Sequence, residues 1–176
     1  MRQATELMVQ YAAYHRDRRN IATHFIGVPM IVLGVGALLA RPAFNLGGIA
    51  FTPGGLLFLA AAAWYLTRGN LGLGLATTVV VGLLVAVGHR AAAESTGVWL
   101  AIAIGSFAVG WVIQFIGHYY EGRKPAFVDD LIGLLVGPMF VVGEWLFALG
   151  WGKPLLAEIE RRVGPTHLRD LARPAT

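Results

Sequence analysis

The chain has 176 residues, of which 56% are hydrophobic and only 14% charged, with a mean hydropathy of +0.63 and a formal charge of +4. A soluble domain carries roughly 25% charged residues, so this composition excludes an ordinary soluble domain and points to lipid-facing surface. With no cysteine, disulfides, thiolate zinc sites and cysteine nucleophiles are excluded, which leaves His, Asp and Glu as the strong metal ligands.

The first 24 residues are polar and helical, too long for the basic start of a signal peptide, and no cleavage site follows the first apolar run. Residues 3–18, "QATELMVQYAAYHRDR", predict an amphipathic helix with Leu7, Tyr11, Tyr14 and His15 on one face. "DRRN" breaks it, and Asn20 is the expected N-cap of the helix that follows.

Five apolar runs come next, at about 22–40, 54–67, 71–88, 98–117 and 131–150. A span needs about 20 apolar residues. The first, third and fourth qualify. The second is short and starts at "TPGG". The fifth is interrupted at Gly137–Pro138 and carries Glu144, which predicts a kinked helix or a re-entrant hairpin. The expected fold is an all-α membrane bundle in one domain: residues 1–20 an amphipathic helix, 22–150 the bundle of about four spans plus the irregular fifth helix, and 151–176 a cytoplasmic tail. Arg2, Arg16, Arg18 and Arg19 at one end, and Lys153, Arg161, Arg162, Arg169 and Arg173 at the other, place both termini in the cytoplasm by the positive-inside rule. These cations sit at the ends of apolar runs and form no basic face with interleaved aromatics, so lipid and not nucleic acid is the expected partner. Oligomeric state leaves no sign in the sequence.

Trp111, Gln114, His118 and Glu121 fall on one stripe of the fourth run, within an arc of about 80°. His15 and His24 are nine residues apart. In one continuous helix they would face opposite ways, but the break lets His15, in the last turn of one helix, and His24, in the first turn of the next, both fold inward. The topology puts them at the same membrane face as His118. Three imidazoles with a carboxylate nearby suit a non-haem iron or a zinc site, and ligand softness does not separate the two metals. His89 and Arg90 end the third run on the far side and read as an interfacial anchor. His167 reads as solvated, Asp129 and Asp130 as N-caps of the fifth run, and Glu144 as neutral or as a partner of an arginine or a histidine. Arg123 and Lys124 face either a substrate carboxylate or lipid phosphate.

The segments "YHRDRRN…THFIGVP", "GWVIQFIGHYYEGRKPAFVDDL" and "GPMFVVGEWLFALG" together resemble the 2-hydroxy fatty acid dioxygenase family, named for the metabolism of phytosphingosine to odd-numbered fatty acids. The resemblance runs from about Tyr14 to Gly150. It implies an Fe(II)-dependent membrane dioxygenase that takes a 2-hydroxy fatty acid and O2, shortens the acid by one carbon and releases CO2, at the endoplasmic reticulum in eukaryotes or the inner membrane of a bacterium. It places the iron ligands on His15, His24 and His118 and further site residues on Tyr14, Asn20, Gln114, Glu121 and Arg123, with Glu121 either a fourth ligand or a base behind the ligands. The middle of the chain, which holds His89, matches least. A zinc-dependent lipid hydrolase is the competing enzyme. A lipid or proton transporter is disfavoured, because only Gln114 and Glu144 are polar well inside the runs and no internal repeat is present.

Overall fold

The computed structural model describes residues 2–172; Arg173, counted above among the tail cations, lies outside them. Helix α1 (Ala4–Ala12) is shorter than the predicted 3–18. It closes in i→i+3 bonds from Tyr14 N to Tyr11 O and His15 N to Ala12 O, both 3.0 Å, and side chains join at this end: Arg16 Nε donates to Ala12 O (2.9 Å), Arg123 Nη1 to Ala13 O (2.8 Å), and His15 Nδ1 lies 2.7 Å from Tyr11 O. His15 therefore lies in the connection beyond α1, not in its last turn. Helix α2 (Arg18–Leu38) starts at Asp17, whose carboxylate accepts the Arg19 amide at 2.8 Å. Asp17 is the N-cap, and Asn20, the expected cap, is a buried residue of the first helical turn.

At the far end of α2 a hairpin that the sequence reading missed, β1 (Phe44–Leu46) and β2 (Ile49–Phe51), pairs Phe44 with Phe51. Gly47 and Gly48 form its two-residue turn with φ of 59° and 83°, values that glycine adopts without steric cost. Helices α3 (Pro53–Leu66), α4 (Leu71–Ala91) and α5 (Thr96–Glu121) follow, with Thr52, Asn70 and Ser95 as their N-caps. Helices α2, α4 and α5 are long and apolar enough to cross a membrane. Helix α3 is apolar but has only 14 residues, about 21 Å. Exposed Leu75, Val79, Leu83, Ile104, Val112 and Phe115 form the apolar outer surface of a membrane bundle.

The core contact is α2 against α5. Small residues let the backbones meet: a Cβ on Gly34 would stand 2.7 Å from Ala103 O, and one on Gly27 would stand 2.9 Å from Gly110 O. The four helices alternate in direction. The α2–β1 end meets the ends of α3 and α4 around Leu39, Gly54 and His89. The opposite end joins the start of α2 to the end of α5 and, through Ala4 N on Arg68 O, to the end of α3. A 3-10 turn (Ala126–Val128) leads to α6 (Gly133–Ala148), which runs unbroken through Pro138. The sharp bend of 113° falls after Ala148 and leads into α7 (Lys153–Val163), so α6 and α7 form a broken span or a re-entrant pair. The expected interruption at Gly137–Pro138 is therefore displaced by about ten residues along the chain, to the glycine pair Gly150 and Gly152, both with positive φ. Helix α7 returns to α1, with Arg162 paired to Glu6 at 2.7 Å.

Candidate metal centre

One end of the bundle gathers His15, His24 and His118, each offering a ring nitrogen within 4.8 Å of the others. They come from three places: the α1–α2 connection, the second turn of α2, and the last turn of α5. All three are buried. His15 stacks on Tyr11 with ring centroids 4.1 Å apart and planes 4° from parallel, and Phe140 of α6 packs against both rings. Burial, and then the neighbouring imidazoles of His24 and His118, holds His15 well below its ordinary pKa, so this ring is neutral at physiological pH.

Hydrogen bonds fix two of the rings. His15 Nδ1 lies 2.7 Å from Tyr11 O and His24 Nδ1 lies 2.9 Å from Asn20 O. A carbonyl oxygen only accepts, so both Nδ1 atoms carry a proton, and each ring, when neutral, turns a bare Nε2 lone pair to the other. Those two Nε2 atoms face each other at 3.0 Å. His118 Nδ1 is buried without a hydrogen-bond partner.

Glu121 lies outside the histidine group. Its Oε1 accepts the Arg16 amide and its Oε2 accepts both the Asp17 amide and Asn20 Nδ2, all at 2.9 Å. The carboxylate, read from sequence as a fourth ligand or a base, instead clamps the start of α2 to the end of α5. Asn20 Nδ2 also reaches Tyr14 O at 3.2 Å. Gly122, at φ 72°, ends α5 and turns the chain back toward the site. Tyr14 and Arg123 point elsewhere than the histidines: the Tyr14 hydroxyl donates to Asp129 Oδ2 (2.9 Å), and Arg123 caps α1. Lys124 pairs with Asp129, so Asp129 does not cap α6; Asp130 accepts the Ile132 amide and pairs with Arg2.

Gln114 lies one turn deeper than His118. It is 3% exposed, and its Nε2 has no hydrogen-bond partner among the described residues. It lines a cleft of about 60 Å3 with His24, His118, Val28, Trp111 and Leu134. His89 sits at the opposite end of the bundle, with Nε2 2.8 Å from Thr52 Oγ1. Glu144 is half-buried within electrostatic reach of Arg16. Three contributors were missed from sequence. Asp17, fully buried, is held at about pKa 2: burial would raise it, but the Arg19 guanidinium and the amides of Arg169 and Arg19 outweigh that. Its place just before an apolar run was the available signal. Tyr11 shared the predicted face of α1 with His15. The third is the backbone of His167, whose side chain is exposed as expected but whose chain pairs beside Asp17.

A bundle of membrane-length helices with three buried imidazoles at one end defines a helical membrane protein with a histidine-built centre. The chain belongs to the Mpo1-like family, described as "2-hydroxy-palmitic acid dioxygenase Mpo1-like", whose model matches residues 1–149. It is 30% identical over 153 residues to the 2-hydroxy-palmitic acid dioxygenase MPO1 of Saccharomyces cerevisiae, covering 85% of this chain and 83% of the yeast protein. No solved structure matches it.

Proposed function

We propose that this protein is an Fe(II)-dependent dioxygenase of the membrane that converts a 2-hydroxy fatty acid and O2 to the acid one carbon shorter and CO2. The substrate class follows from the likeness to the yeast 2-hydroxy-palmitic acid dioxygenase. The observation that carries a metal is the pair of Nε2 atoms 3.0 Å apart, on two rings whose Nδ1 atoms are each held by a backbone carbonyl. Two lone pairs at that distance repel unless a cation lies between them. The Nδ1–H bonds to carbonyls are the outer contacts that orient metal-bound imidazoles. His15, His24 and His118 fit such an ion, which when bound supplies the one-electron chemistry that O2 needs to react with a closed-shell acid.

The remaining residues hold and orient. The Gln114 amide is a free buried donor beside the cleft and reaches an oxygen of the substrate head group. Val28, Ile31, Val32 and Leu134 exclude water around it. Glu121 and Asn20 fix the His15 connection, and Arg123 fixes the end of α1. The overall reaction consumes R–CH(OH)–COOH and O2 and yields R–COOH, CO2 and water, so O2 takes all the electrons and no further reductant enters.

The test is elemental analysis of detergent-purified protein, wild type beside His118→Ala, with oxygen uptake and product acid measured on 2-hydroxypalmitate after anaerobic loading with Fe(II). Stoichiometric iron, lost in the variant, with uptake matched by the shortened acid, is expected. Activity with zinc and without oxygen uptake would favour a hydrolase. No metal after loading would overturn the reading.

A further inference from the structure

The segment after α7 lies beyond the residues matched by the family model, yet it returns to the histidine end. The His167 amide donates to Arg16 O and the Arg18 amide donates to His167 O, both at 2.9 Å, so residues 17 and 167 pair like neighbouring parallel strands. One residue pair further, the Arg169 amide donates to Asp17 Oδ2 at 2.7 Å, and Arg19 Nη2 donates to Arg169 O at 2.7 Å. Arg16 Nη1 donates to Gly164 O at 3.0 Å, and Arg169 Nε donates to Tyr120 O at 2.9 Å.

We infer that residues 164–169 form a positioning strap that completes the histidine centre: its backbone fixes the His15 connection and the first turn of α2, and its Arg169 side chain adds the end of α5 to the same register. The argument is one of accounting for donors and acceptors. The start of α2 leaves amides without helical partners. Those of Arg16 and Asp17 go to Glu121, that of Arg19 to Asp17, and that of Arg18 only to the strap. Asp17 uses one oxygen for the α2 cap and turns the other to the strap. His15 is two residues from Asp17, and Tyr120 is two residues from His118. The strap thus ties together the backbones that carry two of the three imidazoles, while His24 rides on the helix whose first amide it caps. Apart from the Arg169 guanidinium on Tyr120 O, its grip is through main-chain atoms, so the identity of its other side chains is free to vary.

The inference rests on the proposed metal reading for its functional consequence and not for its structural content, so two measurements separate them. His167→Pro removes the amide that donates to Arg16 O. His167→Ala keeps that amide and removes only an exposed side chain. Asp17→Asn, which sets an NH2 against the Arg19 or Arg169 amide, is the second route should the proline variant fail to fold. The first readout is amide hydrogen exchange of the apo full-length protein in detergent. The expected result is loss of protection at Arg18 and Arg19 in His167→Pro, with α3 and α4 unchanged and with His167→Ala like wild type. The second is release of bound Co(II) to a chelator, expected to be about tenfold faster in His167→Pro, the scale typical of contacts that orient metal ligands. Unchanged protection in a folded His167→Pro, or equal loss in His167→Ala, overturns the strap. Lost protection with unchanged Co(II) release overturns its positioning role. A wild type that takes up no Co(II) overturns the metal reading and leaves the strap to be decided by exchange alone.

Discussion

A single carboxylate at the end of α5 accepts three hydrogen bonds from the start of α2, and this decides what kind of residue Glu121 is. With both oxygens engaged by buried donors, the carboxylate serves first as a clamp between the two helices. Glu121→Gln turns one oxygen into an NH2 that faces an amide or the Asn20 side chain, leaving buried donors opposed. The expected cost is about 1–3 kcal/mol, read as a lower melting temperature in detergent. Iron loading is expected to weaken, while X-ray absorption of the loaded variant still reports the same number of light-atom ligands as wild type. Loss of one oxygen from the first shell would make Glu121 a ligand after all. Gln114 is expected to behave in the opposite way. Its Nε2 is buried and unpartnered, a group that a fold without function has no reason to keep. Gln114→Leu is expected to leave stability equal or raise it by up to about 1 kcal/mol, to retain iron, and to lower kcat/KM for 2-hydroxypalmitate at least tenfold. Full activity in that variant would make the amide a packing residue only.

At the scale of helices, the bundle end depends on how closely α2 and α5 approach. A Cβ on Gly34 would meet Ala103 O, Phe107 N and Phe107 Cβ within 2.9 Å. Two of these are backbone atoms, which cannot rotate away. Gly105, on the same α5, has nothing within 4 Å of its would-be Cβ. Gly34→Ala is therefore expected to cost about 1–3 kcal/mol through overpacking, whereas Gly105→Ala is neutral or favourable by up to about 1 kcal/mol. Paired thermal melts check the contrast, and equal effects would refute the close approach. The helices themselves were legible because apolar runs bounded by Asn, Ser, Thr and Gly announce both their length and their ends. His15, His24, His118 and Gln114 were legible because polar groups stand out in so apolar a chain. Asp17 and Asn20 were exchanged because "DRRN" offers two capping residues, and only the tertiary structure shows that Glu121 occupies the Asn20 amide. The role of Glu121 was hidden for a related reason: helical spacing tells which face a residue shares, not which partner reaches it first. The pairing of residue 17 with residue 167 spans nearly the whole chain and leaves no periodic trace.

For the molecule as a whole, the direction of each helix fixes which parts of the chain share an end of the bundle. Helix α2 leaves the histidine end, α3 returns to it, α4 leaves and α5 comes back. Helix α7 then packs on α1, so the described ends of the chain lie on the same side, opposite the β1–β2 hairpin. The 14-residue α3 is too short for a full hydrocarbon thickness of about 30 Å. The hairpin and the polar ends of its neighbours must therefore dip toward it, or the bilayer thin locally. The chain has no cysteine, so a single thiol can be placed at will. Asn45→Cys on the hairpin and Asp170→Cys beside the strap are both exposed. With a membrane-impermeant maleimide on sealed vesicles of known orientation, the two are expected to label from opposite faces. Labelling of both from one face would require an odd number of crossings and would make α3 a surface helix.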